Sequence, residues 1–413
     1  MSNIIKGSNG VKILGIESSC DETAAAVVQD GRIILSNVIN SQIDIHAIYG
    51  GVVPEVAARS HIEVINPVIN QALTDANLTW DDIDAIAVTY AHGLVGSLLI
   101  GTLAARTLAI LKNKPLYPIH HIEAHVYANF LTEAGVGDSE IGNRQSQQSR
   151  SATISNDTLE PKSEVAPGPN SDLERSSVIG DGGRKGDVNW SKLPPSFPLL
   201  ALIVSGGHSQ LVLFQDHGDY EILGQTCDDA VGEAFDKVAK IIGLPYPGGP
   251  SIAKAALNGN PNAYKFPKAK MHNAYDFSFS GLKTAVLRTV QREVGVDFTF
   301  PSSGLAEHLN DTQRADFAAS FQRTAVETLV DKTEQAFCNY DVRSVVIAGG
   351  VAANQELRRL LSERLPIHID YAPMNLCTDN AAMVASLGYY YAQKNQPISP
   401  FELEVSPSLS MVK

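Results

Sequence analysis

The chain has 413 residues, of which 44% are hydrophobic and 19% charged, so it is long enough for two domains with sizeable cores. Its apolar runs are too short or too interrupted by basic residues to cross a bilayer, and its start has no signal-peptide pattern, so we expect a cytoplasmic protein without a membrane partner. Four scattered cysteines without a Cys-x-x-Cys pair argue against a zinc ribbon and a disulfide framework. The formal net charge of −13 argues against strong independent binding to nucleic acid.

Both halves of the chain are predicted to contain the same series of elements: three strands in a meander, helical material, then a strand, a glycine turn and a helix. In the first half the strands cover 11–16, 24–28, 32–36 and 83–89, and the last helix runs to Ala109. In the second half the strands cover 199–204, 210–214, 220–224 and 344–348, and a helix begins at Asn354. The pattern predicts an α/β protein with two similar lobes around a nucleotide cleft, as in sugar kinases, heat-shock ATPases and actin. A single Rossmann sheet is the alternative, but no Gly-x-Gly-x-x-Gly follows an early strand.

Composition suggests where the lobes begin and end. We expect an N-terminal lobe at 11–132 and a C-terminal lobe at 194–413, whose last helix could pack back against the first lobe. The stretch 133–193 is rich in Ser, Asn, Gly, Gln and Pro and poor in apolar residues. Such a segment buries too little surface to offset its ordering entropy, so the sequence predicts a disordered insertion between the lobes.

A pair of histidines follows the strand-like 115–119. His121 and His125 are four positions apart, so on a helix both imidazoles can face one metal ion. Two satisfied histidines on a helix face are the alternative. Glu123 faces away, whereas a zinc metallopeptidase places its glutamate directly after the first histidine. Asp379 precedes a predicted helix and is either a helix cap or the oxygen ligand that completes a site suited to iron(II) or zinc.

Small-residue turns suggest where a nucleotide could bind. Val204-Ser205-Gly206-Gly207-His208 has the glycines and hydroxyl of an anion cradle, and 348–354 is a second glycine turn at a helix start. Asp236 could bind ribose hydroxyls, and the turn containing Gly249 could lie against an adenosine. Each feature also has an ordinary structural interpretation, such as a tight turn or a helix cap by Asn354 or Asp228.

Together these motifs resemble the bacterial tRNA adenosine threonylcarbamoyltransferase family (TsaD), long labelled O-sialoglycoprotein endopeptidases. The resemblance extends from Ile13 to about Ser386, apart from the insertion. It rests on GIESSCDET at 15–23, YGGVVPE at 49–55, HIEAH at 121–125, VSGGH at 204–208, GEAFDK at 232–237, FSGLKT at 279–284, AGGVAAN at 348–354 and CTDN at 377–380.

The resemblance implies an actin-like ATPase fold and a set of site residues. One divalent metal, iron(II) in preference to zinc, would be held by His121, His125 and Asp379. Threonylcarbamoyl-AMP would be held by Val204, Ser205, Gly206, Gly207, His208, Asp236, Gly249 and Asn354. Asp21 or Glu22 could assist proton removal from the attacking amine.

The resemblance also implies a reaction and partners. Threonylcarbamoyl would pass from threonylcarbamoyl-AMP to the adenosine beside the anticodon of tRNAs that read codons beginning with A. In bacteria this family works with a catalytically silent paralogous subunit (TsaB-like) and a small ATPase (TsaE-like). We expect such partners to supply part of the basic surface for tRNA.

Two positions depart from the family pattern. The family usually has Gly-Pro-Gly-Leu where this chain has Ala91-His92-Gly93-Leu94, and some relatives have an aspartate where this chain has Ala253. Two other classes stay open: an actin-like-fold small-molecule kinase, and a non-catalytic nucleotide-binding scaffold.

Overall fold

The computed structural model describes residues 10–133 and 194–411. The predicted insertion therefore lies, from residue 134 onward, outside the described residues.

The first sheet contains an antiparallel meander extended by parallel strands. Its strands, numbered β1 to β6, are Lys12–Glu17, Glu22–Gln29, Ile33–Ser41, Ala85–Ala91, Leu116–His120 and Thr132–Glu133. They lie in the order β5-β4-β1-β2-β3-β6, with β1 to β3 antiparallel and β4 and β5 parallel to β1.

The second sheet repeats this arrangement. Its strands, numbered β7 to β11, are Leu199–Val204, Ser209–Asp216, Asp219–Gln225, Ser344–Ala348 and Ile369–Tyr371. Their order, β11-β10-β7-β8-β9, matches β5-β4-β1-β2-β3 of the first sheet strand for strand and in strand direction. The predicted fold class is confirmed: this is the two-lobed α/β architecture of actin-like ATPases.

Helices cover the sheets and connect the strands. In the described part of the first lobe, α1 to α4 are Ile43–Ala47, Pro54–Asp75, Val95–Lys112 and His121–Tyr127. Further along the chain, α5 to α11 are Val231–Ile242, Gly248–Ala256, Ser280–Glu293, Asp311–Asn339, Gln355–Arg364, Met374–Cys377 and Ala381–Lys394. Short 3-10 turns lie at Trp80–Asp82, Ala128–Phe130, Ser302–His308 and Gly350–Ala353.

The strand β1 is apolar between its charged end residues because helices cover both faces of its sheet. Leu14 and Ile16 point into a core shared with residues of α2 and α3. The alternate residue Gly15 faces α11, so closely that a Cβ there would lie 2.3 Å from the Ala381 carbonyl oxygen. A strand buried on both faces needs a continuous apolar run rather than an alternating one. The first sheet is therefore completed by the last helix described.

Candidate metal centre and substrate cleft

The helix α4 begins where β5 ends, which places its two histidines at the strand's carboxyl end. The Nε2 atoms of His121 and His125 are 3.2 Å apart, and both side chains are buried. The cap of α11 is Asn380, whose side chain accepts the Met383 amide hydrogen. Asp379 is therefore not the helix cap, and its Oδ1 lies 3.2 Å from His125 Nε2 and 3.5 Å from His121 Nε2.

The donor set fits a divalent transition metal. Among the described residues, His121, His125 and Asp379 offer ligand atoms that all lie within 4.8 Å of one another. A tetrahedral ion with bonds of about 2.1 Å holds its ligand atoms about 3.4 Å apart, close to the separations given above. Two imidazoles and one carboxylate are a ligand set typical of zinc or iron(II) sites.

The electrostatics of the cluster favour charge on its members in the metal-free protein. Burial lowers the pKa of His121, but the charges of Asp379 and Glu17 outweigh it and raise the pKa to about 9. Burial likewise raises the pKa of Asp379, but His121 and His125 bring it well below the usual value. The Asp379 carboxylate is therefore stabilised as an anion beside the two imidazoles, where a cation would bind.

The glycine turns of the second lobe meet at the ends of β7 and β10. A Cβ on Gly232, in the first turn of α5, would lie 2.5 Å from the Ser205 carbonyl oxygen. Gly349 has φ +87°, and a Cβ there would lie 2.5 Å from the Val204 carbonyl oxygen. Such approaches require glycine. Gly206 and Gly207 are exposed, so the backbone between them is accessible to a ligand.

His208 connects this turn to the metal cluster. Its ring stacks edge-on against His92 of the first lobe, with ring centroids 4.3 Å apart. Burial and the neighbouring histidines lower the pKa of His208 to about 2, so the ring is neutral at physiological pH. The His208 ring is also close enough to His121, His125 and Asp379 for their charges to affect one another's pKa values.

The other predicted substrate residues already have protein partners. Asp236 accepts a hydrogen bond of 2.6 Å from the Gly248 amide, which fixes the turn before Gly249. Asn354 caps α9 by accepting the Leu357 amide hydrogen and donates through Nδ2 to Gln322.

The interpretation of Asp228 as the cap of α5 is wrong. The residue at that cap is Ala230. The Asp228 carboxylate instead accepts hydrogen bonds from the Ser278 hydroxyl and the Phe279 amide, so it anchors the start of α7. The sequence suggests a cap because Asp228 lies close to the start of the helix. Its actual partner, Ser278, lies 50 residues further along the chain, so the local pattern does not predict it.

Glu22, the first residue of β2, differs from an ordinary surface carboxyl group. Burial and the charges of Asp379 and Asp21 raise the pKa of Glu22 to about 9. Glu22 therefore carries a proton at neutral pH in the metal-free protein. Burial raises the pKa of the neighbouring Cys20 thiol far above its usual value, which excludes a thiolate nucleophile there.

Glu123 points away from the metal cluster, as the spacing predicts. It lines a cavity of about 460 Å³ on the other side of α4, together with Tyr90, Tyr127, Tyr220 and Tyr391. A glutamate base beside the metal, which a zinc metallopeptidase requires, is therefore not supplied by Glu123.

The altered turn after β4 keeps its essential glycine. A Cβ on Gly93 would lie 2.5 Å from the Ser19 carbonyl oxygen, and the Gly93 amide donates to the Pro407 carbonyl. His92 takes the place before this glycine and contacts His208. Sequence reasoning did not predict that the C-terminal residues hold this turn.

Comparison with known proteins identifies the family. The family model for tRNA N6-adenosine threonylcarbamoyltransferase (TsaD) matches residues 33–138 and 187–386. The chain is 45% identical over 407 residues to the tRNA N6-adenosine threonylcarbamoyltransferase of Thermomicrobium roseum, covering 97% of each chain. It is 46% identical over 389 residues to that of Symbiobacterium thermophilum, covering 94% of this chain and 93% of the relative. The chain belongs to this family.

The family resemblance predicted from the motifs is confirmed, and with it the transferase class. Among solved structures, full-length HypF in its phosphate- and nucleotide-bound form aligns with a TM-score of 0.49 at 12% identity, over 95% of this chain and 48% of that chain. A likeness of this degree carries no information about activity.

Proposed function

We propose that this chain transfers the threonylcarbamoyl group from threonylcarbamoyl-AMP to the exocyclic amine of the adenosine beside the anticodon, in tRNAs that read codons beginning with A. The observation that carries the proposal is the cluster of His121, His125 and Asp379, with His208 of the glycine turn near enough to interact electrostatically with it. Family membership names the reaction class, and the cluster and the glycine turns support the assignment of its parts to these residues.

The adenylate lies along the second lobe. The backbone from Val204 to His208, including Ser205, Gly206 and Gly207, cradles the phosphate, because amides without a Cβ beside them can approach an anion closely. Asp236 and Gly249 flank the adenosine, and Asn354 borders it from the start of α9.

His121, His125 and Asp379 would hold one divalent metal, iron(II) in preference to zinc, which would supply Lewis-acid chemistry to the substrate oxygens. His208 borders the carbamoyl group, and because its ring is neutral it adds no charge beside the reacting atoms. The target amine is a weak nucleophile, so holding it close to the carbamoyl carbon supplies much of the rate. Asp21 or Glu22 assists removal of the proton from the attacking amine as the AMP portion leaves.

A paralogous TsaB-like subunit covers an apolar stripe on α3. Four side chains at helical spacing are exposed there: Val95, Leu99, Leu103 and Ile110. The adjoining α2 adds Ile62, which is 60% exposed. Exposed apolar patches of this kind mark interaction sites. The proposal that a small TsaE-like ATPase is a partner depends on the family resemblance alone.

The same helix, Val95–Lys112, is long and apolar enough by composition to span a bilayer, a property that core helices of water-soluble proteins share. Its other face packs onto the first sheet, and Arg106 donates to the Pro400 carbonyl oxygen. We therefore assign the exposed face of this helix to a protein partner and the activity to the cytoplasm. We assign the two lobes to residues 11–132 and 194–413.

A single-turnover assay tests the proposal. Threonylcarbamoyl-AMP labelled in the threonine is mixed with unmodified tRNA, the chain and its partners, with metal content measured alongside. We expect label on the anticodon-loop adenosine and its loss after chelation or in His121→Ala. No label despite bound metal and active partners would overturn the proposal, and phosphoryl transfer to a small molecule would favour the kinase alternative.

A further inference from the structure

A fully buried carboxylate lies behind the metal cluster. Glu17 ends β1, and its Oε2 lies 3.2 Å from Nδ1 of His121, the ring nitrogen that faces away from Asp379. The other Glu17 contacts are an amide hydrogen bond from Ser19 to Oε1 and a hydroxyl hydrogen bond from Thr89 to Oε2, both of 2.5 Å. Three donors therefore surround one buried carboxylate.

We propose that Glu17 is a positioning residue for the metal centre, a role that rests on the proposed function of the cluster. By accepting a hydrogen bond from the His121 Nδ1–H, Glu17 fixes the tautomer that leaves the Nε2 lone pair facing His125 and Asp379. It also fixes the ring orientation. A carboxylate behind a ligating imidazole makes the ligand more basic and tunes its affinity for a metal.

The other contacts of Glu17 hold the carboxylate itself in place, and they act on His121 only through that carboxylate. The Ser19 amide and the Thr89 hydroxyl come from the β1–β2 turn and from β4, so two elements of the first sheet hold the carboxylate. The Ser19 hydroxyl lies 3.1 Å from the same Nδ1, but it is an uncharged group and a weaker acceptor than the carboxylate. The ring is thus held by the sheet and not only by its own helix.

The two histidine ligands differ in this support. In the described part of the chain, Nδ1 of His125 is buried and has no hydrogen-bond partner. His121 therefore has a polar partner on the ring nitrogen that faces away from Asp379, whereas the polar contacts of His125 are all made through Nε2. A purely structural carboxylate has no reason to lie behind one ligand, and a buried ion pair is a weak source of stability.

The test compares two buried carboxylates near the same helix. Glu17→Gln keeps the shape and removes the charge, whereas the control Glu123→Gln makes the same change on the far side of α4. Co²⁺ affinity is measured by absorption against a competing chelator, with circular dichroism as a check of folding. We expect a loss of about 10–100-fold for Glu17→Gln, as for outer-shell partners elsewhere, and a change within about twofold for Glu123→Gln.

A second variant covers the case in which Glu17→Gln does not fold. Thr89→Val removes one donor to Glu17 without a change of shape, and we expect a smaller loss of Co²⁺ affinity in the same direction. In ¹⁵N-histidine spectra of the Zn²⁺-loaded protein, His121 should carry its proton on Nδ1. Equal Co²⁺ affinity in folded wild type, Glu17→Gln and Thr89→Val would overturn the inference. A wild type that binds no metal would instead overturn the proposed metal centre.

Discussion

The Asp379 carboxylate lies in a cluster whose other two members, His121 and His125, are on one helix. Asp379→Asn keeps the size of the side chain but removes the charge that attracts the cation. Since loss of an outer-shell partner typically costs about 10–100-fold in metal affinity, loss of a direct ligand should cost at least about 100-fold, with a matching loss of transfer activity. Metal content after dialysis and single-turnover transfer measure the two effects.

The control for Asp379→Asn is Asp370→Asn, a change of a half-buried aspartate on β11 outside the cluster. Metal content there should equal that of the wild type. If Asp379→Asn retained both metal and transfer, the carboxylate would have no part in the centre.

The raised pKa of His121 has a consequence for metal uptake. Metal ligands must be neutral, whereas His121, with a pKa of about 9, is protonated at neutral pH in the metal-free protein. Each metal bound therefore releases a proton, and the apparent affinity should rise by about tenfold per pH unit below pH 9. Chelator competition with Zn²⁺ at pH 6.5, 7.0, 7.5 and 8.0 measures this slope. An affinity independent of pH would show that His121 is already neutral.

At the scale of elements, the stripe on α3 predicts the site of subunit contact. Leu99 and Leu103 are 41% and 50% exposed, so replacing both with Glu should leave the fold intact. Two charges in an apolar interface are costly to desolvate, so we expect loss of the complex with the paralogous subunit by at least about 100-fold in affinity. Size-exclusion chromatography and calorimetry measure it.

Leu111→Glu is the matched control for the stripe. Leu111 is 71% exposed on the same helix but lies about 120° around the helix from Leu99, outside the stripe. The complex should persist with this variant. A complex equally stable in both variants would place the subunit contact elsewhere.

The sequence predicts the elements and much of the site because local signals agree. Continuous apolar runs predict β1, β4, β7 and β10, which are buried on both faces. Asp379 has two possible uses in the sequence, as a helix cap or as a metal ligand, and it is free to be a ligand only if a neighbouring residue caps the helix. Asn380 caps it, a point that spacing alone does not decide.

Other features depend on contacts between distant parts of the chain, and the sequence does not predict them. In the sequence, Glu17 is only the polar end of a predicted strand. Its contacts with Thr89 and His121 in the structure are what indicate that it positions a proposed metal ligand. The C-terminal residues that hold the Gly93 turn carry no motif. The apolar sequence of α3 predicts burial, whereas one stripe of this helix is exposed.

At the scale of the whole molecule, charge limits binding of tRNA. The net charge is −13, and two of the four lysines in the segment 265–283 are already paired: Lys268 with Glu327 and Asp331, and Lys283 with Asp229. We expect the isolated chain to bind tRNA weakly and the complete complex to bind at least about tenfold more tightly, with a steeper dependence on salt. Fluorescence anisotropy with labelled tRNA at two salt concentrations measures both quantities. Equal affinity without partners would show that this chain carries the tRNA surface itself.

The contact between Gly15 and α11 joins the first strand of the chain to the last helix described. At about 5–20 residues per second, a ribosome needs roughly 20–70 s to proceed from Gly15 to Ala381. During this interval one apolar face of the first sheet lacks its native cover, and Asp379 is not yet present beside the two histidines. We therefore expect the emerging first lobe to bind chaperones, and we expect chains that end before α11 neither to bury that sheet nor to complete the proposed metal cluster.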